Sequence, residues 1–265
     1  MAVGTTTALE TLLRRDRLMV SMGLAAAVAL AWLYITPMAL DMYGTMNGPA
    51  QWMMTATWDA HYLLLTFLMW TAMMLGMMLP SAAPTLLLYA ALLRGSSAAT
   101  STTLRPVSQV YACSVGYLLA WTGFSLLATG LQWALSRLAL LSPMLISASP
   151  LLGGSILIAA GIYQWTPLKR ACLDACRNPA GFLAGHWRPG TRGALRIGWE
   201  HGLYCVGCCW VLMLLLFFGG VMNLAWIAAI SLFVLLEKLM PFGAQGGRLS
   251  GLGLLAAGLF VVLAR

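Results

Sequence analysis

About seven apolar runs follow one another along the chain, at roughly 18–36, 61–93, 107–131, 150–166, 201–222, 224–238 and 250–264. A helix needs about 20 apolar residues to cross a hydrocarbon core about 30 Å thick, so most of these runs have the length of a membrane span. What lies between them cannot cover a water-facing surface, because only 8% of the residues are charged, against about a quarter in ordinary soluble domains. The expected fold is all-α: a polytopic transmembrane helical bundle of about seven spans, forming a single integral membrane domain over residues 1–265. Run 61–93 contains Pro80 and Pro84 and should be a kinked helix, or one that breaks there. The last two runs are short, and Gly219, Gly220 and Asn223 predict a tight turn between the fifth and sixth.

The lipid bilayer is therefore the first expected partner. The formal net charge of +8 would suggest nucleic acid in a soluble protein. Here the basic residues sit in the gaps between runs and report orientation instead, so no nucleic-acid partner is expected. With the N-terminus cytoplasmic, only Arg137 and Arg265 fall outside. The loop 167–200 alone places Lys169, Arg170, Arg177, Arg188, Arg192 and Arg196 inside. Arg14, Arg15 and Arg17 before the first run resemble a signal-peptide start, but Tyr34, Ile35 and Pro37 leave no small-x-small cleavage site, so the run reads as a retained helix.

This topology sorts the sulfur residues. Cys113, Cys172, Cys176, Cys205, Cys208 and Cys209 fall on or near the inner side, where a reducing compartment disfavours structural disulfides. Residues 201–213 read HGLYCVGCCWVLM. In a helix, His201, Cys205, Cys209 and Met213 recur every four positions on one face and cover ~18 Å, with Cys208 flanking them. Such a row of soft donors suits Cu(I), and thiolate with imidazole also suits Zn(II). Cys172 and Cys176 could complete a site, with Lys169, Arg170 and Arg177 close in sequence to stabilise their thiolates. Packing is the competing explanation for any buried cysteine, and it is the default for the isolated Cys113.

Ten of the 17 methionines lie between positions 38 and 78. Met38, Met42 and Met46 are spaced by four, as are Met69, Met73 and Met77, and Met74 and Met78. The second run would thus carry two adjacent thioether rows, a metal pathway leading in from the outer side. Methionine is also a common apolar filler, and that alternative stays open. The M-x3-M spacing is similar to the pore helix of eukaryotic copper transporters, in one motif only. Asp59 and His61, at the outer mouth, are interfacial residues first and harder ligands second. Glu237 and Lys238 close the sixth run; charges at depth are costly and usually functional, whereas those at an end can snorkel to the boundary, and both readings stay open. Gly153, Gly154 and Gly161 predict close helix packing. No Walker loop, G-x-S-x-G or H-E-x-x-H motif occurs, so no catalytic residues are assigned and an enzyme is not expected.

Five segments carry a family resemblance: WTAMMLGMMLPSAAP (70–84), YQWTPLKRACLDACRNP (163–179), HGLYCVGCCWVLM (201–213), GGVMNLAW (219–226) and LLEKLMPFG (235–243). Together they resemble the bacterial family of predicted metal-binding integral membrane proteins, DUF2182, with the clearest similarity over about 60–245. The resemblance implies metal binding and a place in the bacterial inner (cytoplasmic) membrane, but no substrate or mechanism. Three functions stay open. The first is a membrane metal handler, with copper foremost and zinc the alternative, that binds the metal, transfers it or delivers it to a metalloenzyme. The second is a non-catalytic subunit or assembly factor working with other membrane-protein subunits or a metallochaperone. The third is a membrane thiol oxidoreductase.

Overall fold

In the computed structural model of the chain, residues 3–44, 47–54, 58–97, 104–240 and 243–264 are described. Met46 and Arg265 lie outside them, and the side chains of Arg14, Arg15, Arg17 and Arg105 are likewise not described. The described residues form helices α1 (Val3–Met42), α2 (Ala60–Ser97), α3 (Leu104–Arg137), α4 (Pro150–Tyr163), α5 (Pro167–Arg177), α6 (Pro179–His186), α7 (Gly190–Leu214), α8 (Leu216–Gly219), α9 (Leu224–Leu239) and α10 (Gly243–Leu263), with no strand among them. The all-helical expectation holds.

Five stretches are long and apolar enough to cross a membrane: Leu18–Met42, Ala60–Arg94, Val107–Arg137, Gly190–Gly219 and Gln245–Leu263. Helices α4 and α5 make a sixth if they are taken as one broken span, bent by 66°. Every run expected from the sequence is helical, and a count of five to six is roughly compatible with the about seven expected. Helix α9, with 16 residues, extends only ~24 Å.

The outward faces are apolar, with Leu127 73% and Phe260 71% exposed, as lipid contact requires, while Trp70, Tyr89 and Trp121 are at most 2% exposed. Helix α2 does not break at its prolines and runs on to Ser97. Side chains supply hydrogen bonds near them: Ser81 Oγ (2.8 Å) and Tyr117 Oη (3.0 Å) both donate to the Met78 carbonyl. The break between α4 and α5 has a local cause. Pro167 excludes Thr166 from helical dihedrals; Thr166 is extended (φ −68°, ψ 145°) and its hydroxyl caps α5 by accepting from Lys169 N.

Two glycine contacts set the inner geometry. Helix α3 lies directly against α7, where a Cβ on Gly198 would collide with the Cys113 carbonyl, and one on Gly202 would stand 2.6 Å from Ala120 Cβ. Helix α4 approaches α10 as closely, with a Cβ on Gly161 falling 2.8 Å from the Gly251 carbonyl and one on Gly154 falling 2.9 Å from the Gly258 carbonyl. Small residues let helix backbones approach where lipid gives no hydrophobic drive to associate.

Candidate functional site

Helix α7 turns the whole expected stripe inward. His201, Cys205, Cys209 and Met213 are at most 4% exposed, and the flanking Cys208 is 1% exposed. A stripe is a row, however, not a cage: successive rungs are ~6 Å apart along the axis. Among the described residues no three His, Cys, Asp or Glu side chains converge on one point as a ready metal cage.

The convergence is on the single sulfur of Cys205. Lys238 Nζ donates to it at 2.9 Å, and Tyr117 Oη stands at 3.0 Å. The thiols of Cys208 (3.1 Å) and Cys209 (3.0 Å) both donate to the Cys205 carbonyl. Cys176, from α5, lies beside the Cys205 and Cys208 side chains. Cys172 lies over the adjacent turn, where its sulfur would be 2.7 Å from a Cβ on Gly207. Tyr163, from α4, donates to the Gly207 carbonyl. The α4–α5 break thus delivers a tyrosine and two cysteines onto the middle of α7.

Lys238 is 6% exposed. A buried ammonium is costly unless paired, and the acceptors it has are Cys205 Sγ and Ser81 Oγ, the latter at 2.9 Å. Of these two, only the sulfur can carry a balancing negative charge, as a thiolate. The end of α9 is held in place by α5. Lys169 meets Glu237 at 2.7 Å and also donates to Gln164, while Arg177 donates to the Met240 carbonyl at 2.8 Å.

These contacts correct one expectation and decide between two readings of another. Lys169 and Arg177 face the end of α9, not the Cys172 and Cys176 thiols, and Arg170 is exposed; the cation on the sulfur cluster is Lys238. Glu237 and Lys238 do not snorkel, because each has a buried partner that boundary water would otherwise replace. The site residues missed by sequence reasoning are Lys238, Ser81 and Tyr117. The signal for Lys238 was present, as a charge in an apolar helix. Tyr117 gave none, since its place depends on the α3–α7 contact. His201 sits one turn from Cys205, its ring close to Phe182 (centroids 5.1 Å) and Tyr117 (5.7 Å), and its Nδ1 has no hydrogen-bond partner among the described residues. Glu200, next to it, pairs instead with Arg188 at 3.2 Å and Arg196 at 3.0 Å.

Both thioether rows of α2 also face inward. Met69, Met73, Met74, Met77 and Met78 are at most 3% exposed, and Met38 and Met42 of α1 at most 2%. The Met74/Met78 row ends at the cysteines, where Cys209 Sγ is 3.9 Å from Met78 Sδ. Asp59 is a helix cap, accepting from Tyr62 N at 2.7 Å, and His61 is exposed.

A family model, PpoB2, described as copper chaperone, matches residues 67–261. That range takes in α7 whole, both cysteines of α5, the methionines of α2 and Lys238. No curated protein and no solved structure matches the chain.

Proposed function

We propose that this chain, which belongs to the PpoB2 family of copper chaperones, is a membrane protein that binds Cu(I) at the thiols around Cys205 and delivers it to a metalloenzyme. The observation that carries the reading is the contact between Met78 and Cys209, where a buried row of thioethers runs into a buried group of thiols. Thioethers bind Cu(I) without losing a proton, and thiolates bind it more strongly. A path from Met69 through Met73, Met74 and Met77 to Met78 therefore rises in affinity toward Cys209, Cys205, Cys208 and Cys176. Met38 and Met42 of α1 extend it outward. Zn(II) would use the cysteines and His201 but has little use for the methionines, which is why copper is preferred.

Each residue has a distinct part. Cys205 presents the sulfur already matched to a cation. Cys208 and Cys209 leave the Cys205 carbonyl to join it as ligands, and Cys176 closes from α5. His201 and Met213 flank the group one turn to either side on the same stripe. Lys238 remains as counter-charge to a copper–thiolate complex, which is anionic when two thiolates hold one Cu(I). The positive-inside pattern supports an outward methionine half and a cysteine half toward the cytoplasmic side of a bacterial inner membrane.

The test is metal content by mass spectrometry of protein purified from copper-replete cells, beside a Cys205→Ser/Cys208→Ser/Cys209→Ser triple variant. Copper should accompany the wild type and be lost from the variant. Equal copper in the two sinks the reading.

A further inference from the structure

A cargo site needs a way in and out, and Cys205, Cys208 and Cys209 are at most 1% exposed. A pocket of about 490 Å³ is lined by Cys172, His186, Arg188, Glu200, Leu203 and Tyr204. Cys172 belongs to both places. It forms part of the pocket wall, and its sulfur rests on Gly207, where the missing side chain leaves it room beside Cys208. One turn farther along α5, Cys176 lies beside Cys205 and Cys208. His186 stacks on Phe182 (centroids 4.5 Å) and uses Nδ1 toward the Phe182 carbonyl at 2.9 Å, which leaves Nε2 as its second nitrogen. The charged part of the lining is the Arg188–Glu200 pair.

We infer that this pocket is the copper-exchange port of the thiol cluster, the way out for the ion, with Cys172 the last thiol before an acceptor and His186 the ligand that steadies the ion on the way. The inference rests on the Cu(I) reading above. The partner it fits is a soluble protein that offers accessible thiols to Cu(I). Cys208 and Cys176 pass the ion to Cys172 Sγ by thiolate exchange. In the transfer, a bond from Cu(I) to an acceptor sulfur forms as the one to Cys172 Sγ breaks. The acceptor's thiol proton passes to Cys172, and copper stays Cu(I) throughout. Histidine and cysteine do not form a closed cage here, which suits a point of passage rather than storage.

The port is tested by loading the full chain with Cu(I) in detergent without oxygen, then adding excess bathocuproine disulfonate, a bulky anionic Cu(I) chelator, and following release per bound copper. Cys172→Ser should slow release roughly tenfold, the low end of what metal-site partners contribute. Leu203→Trp keeps every ligand and narrows the pocket, and it should slow release to a similar extent. His186→Gln should slow it less. Wild-type release from both Cys172→Ser and Leu203→Trp overturns the port while leaving copper binding intact. A wild-type chain that takes up no Cu(I) overturns the parent reading instead. If Cys172→Ser does not fold, Leu203→Trp alone decides, since that side chain is 48% exposed and its replacement does not disturb the core.

Discussion

Lys238 donates to the sulfur of Cys205 across 2.9 Å, from a residue 33 positions later in the chain and on a different helix. Each member explains the other's burial. The ammonium sits inside the bundle because a sulfur takes up its charge, and the sulfur is held ready for a cation because one is already there. Removing one partner alone should therefore be worse than removing both. Cys205→Ala leaves a buried ammonium with Ser81 as its remaining acceptor and should cost about 3 kcal/mol or more, the scale for breaking a buried pair. Cys205→Ala/Lys238→Met should recover part of that loss. Thermal unfolding of the four proteins of the cycle in one detergent measures the coupling. Additive losses would mean that no charge is shared.

The ion pair of Lys169 and Glu237, each side chain 2% exposed, orients Lys238 by fixing the residue before it. Glu237→Gln or Lys169→Met should destabilise the chain by about 3–5 kcal/mol, because each leaves a buried charge uncompensated. Either change should also weaken Cu(I) retention, although neither residue touches the thiol cluster. Chelator competition on the folded fraction checks the second effect. Unchanged retention would show that α9 is positioned without the pair.

Much of this was readable in the sequence. Apolar length identified the helices, and the fourfold spacing of His201, Cys205, Cys209 and Met213 gave a buried face, because periodicity within one helix is a local property. Spacing could not say which rungs meet which neighbours. The Lys238–Cys205 contact depends on how α9 is docked, and the turn of α5 onto Gly207 depends on one broken span. Nearness in sequence likewise points Lys169 to Cys172, which shares its face of α5, but the Lys169 ammonium pairs across that face with Glu237 of α9. Proline alone was also a poor guide. Pro167 ends a helix where Thr166 can cap the next one, whereas Pro80 lies where Ser81 and Tyr117 hydrogen-bond the backbone close by, and α2 continues.

The α3–α7 contact that brings Tyr117 to Cys205 tolerates no side chain at Gly198. Alanine there gains about 1 kcal/mol in helix propensity, but its Cβ falls on the Cys113 carbonyl, a backbone atom that cannot turn aside. The clash should win, with a net loss of about 2 kcal/mol given the usual cost of overpacking. Gly123 on α3 has nothing within 4 Å of an added Cβ, so Gly123→Ala should raise stability by up to about 1 kcal/mol. Opposite shifts in melting temperature for the two variants are expected. A stabilising Gly198→Ala would mean that the helices are not in backbone contact.

Met78 separates a packing role from a ligand role. Leucine has nearly the same volume, so Met78→Leu should cost less than about 1.5 kcal/mol in stability. What it removes is the thioether beside Cys209. On the copper reading, Cu(I) affinity should then fall about tenfold, equivalent to ~1.4 kcal/mol. Met22→Leu is the control, since Met22 is 55% exposed on the outer face of α1 and should change neither quantity. Competitive Cu(I) titration of the three proteins, with unfolding curves for each, distinguishes the roles. A loss of affinity at Met78 without a matching loss of stability makes it a ligand, and equal affinities make the methionine row ordinary core.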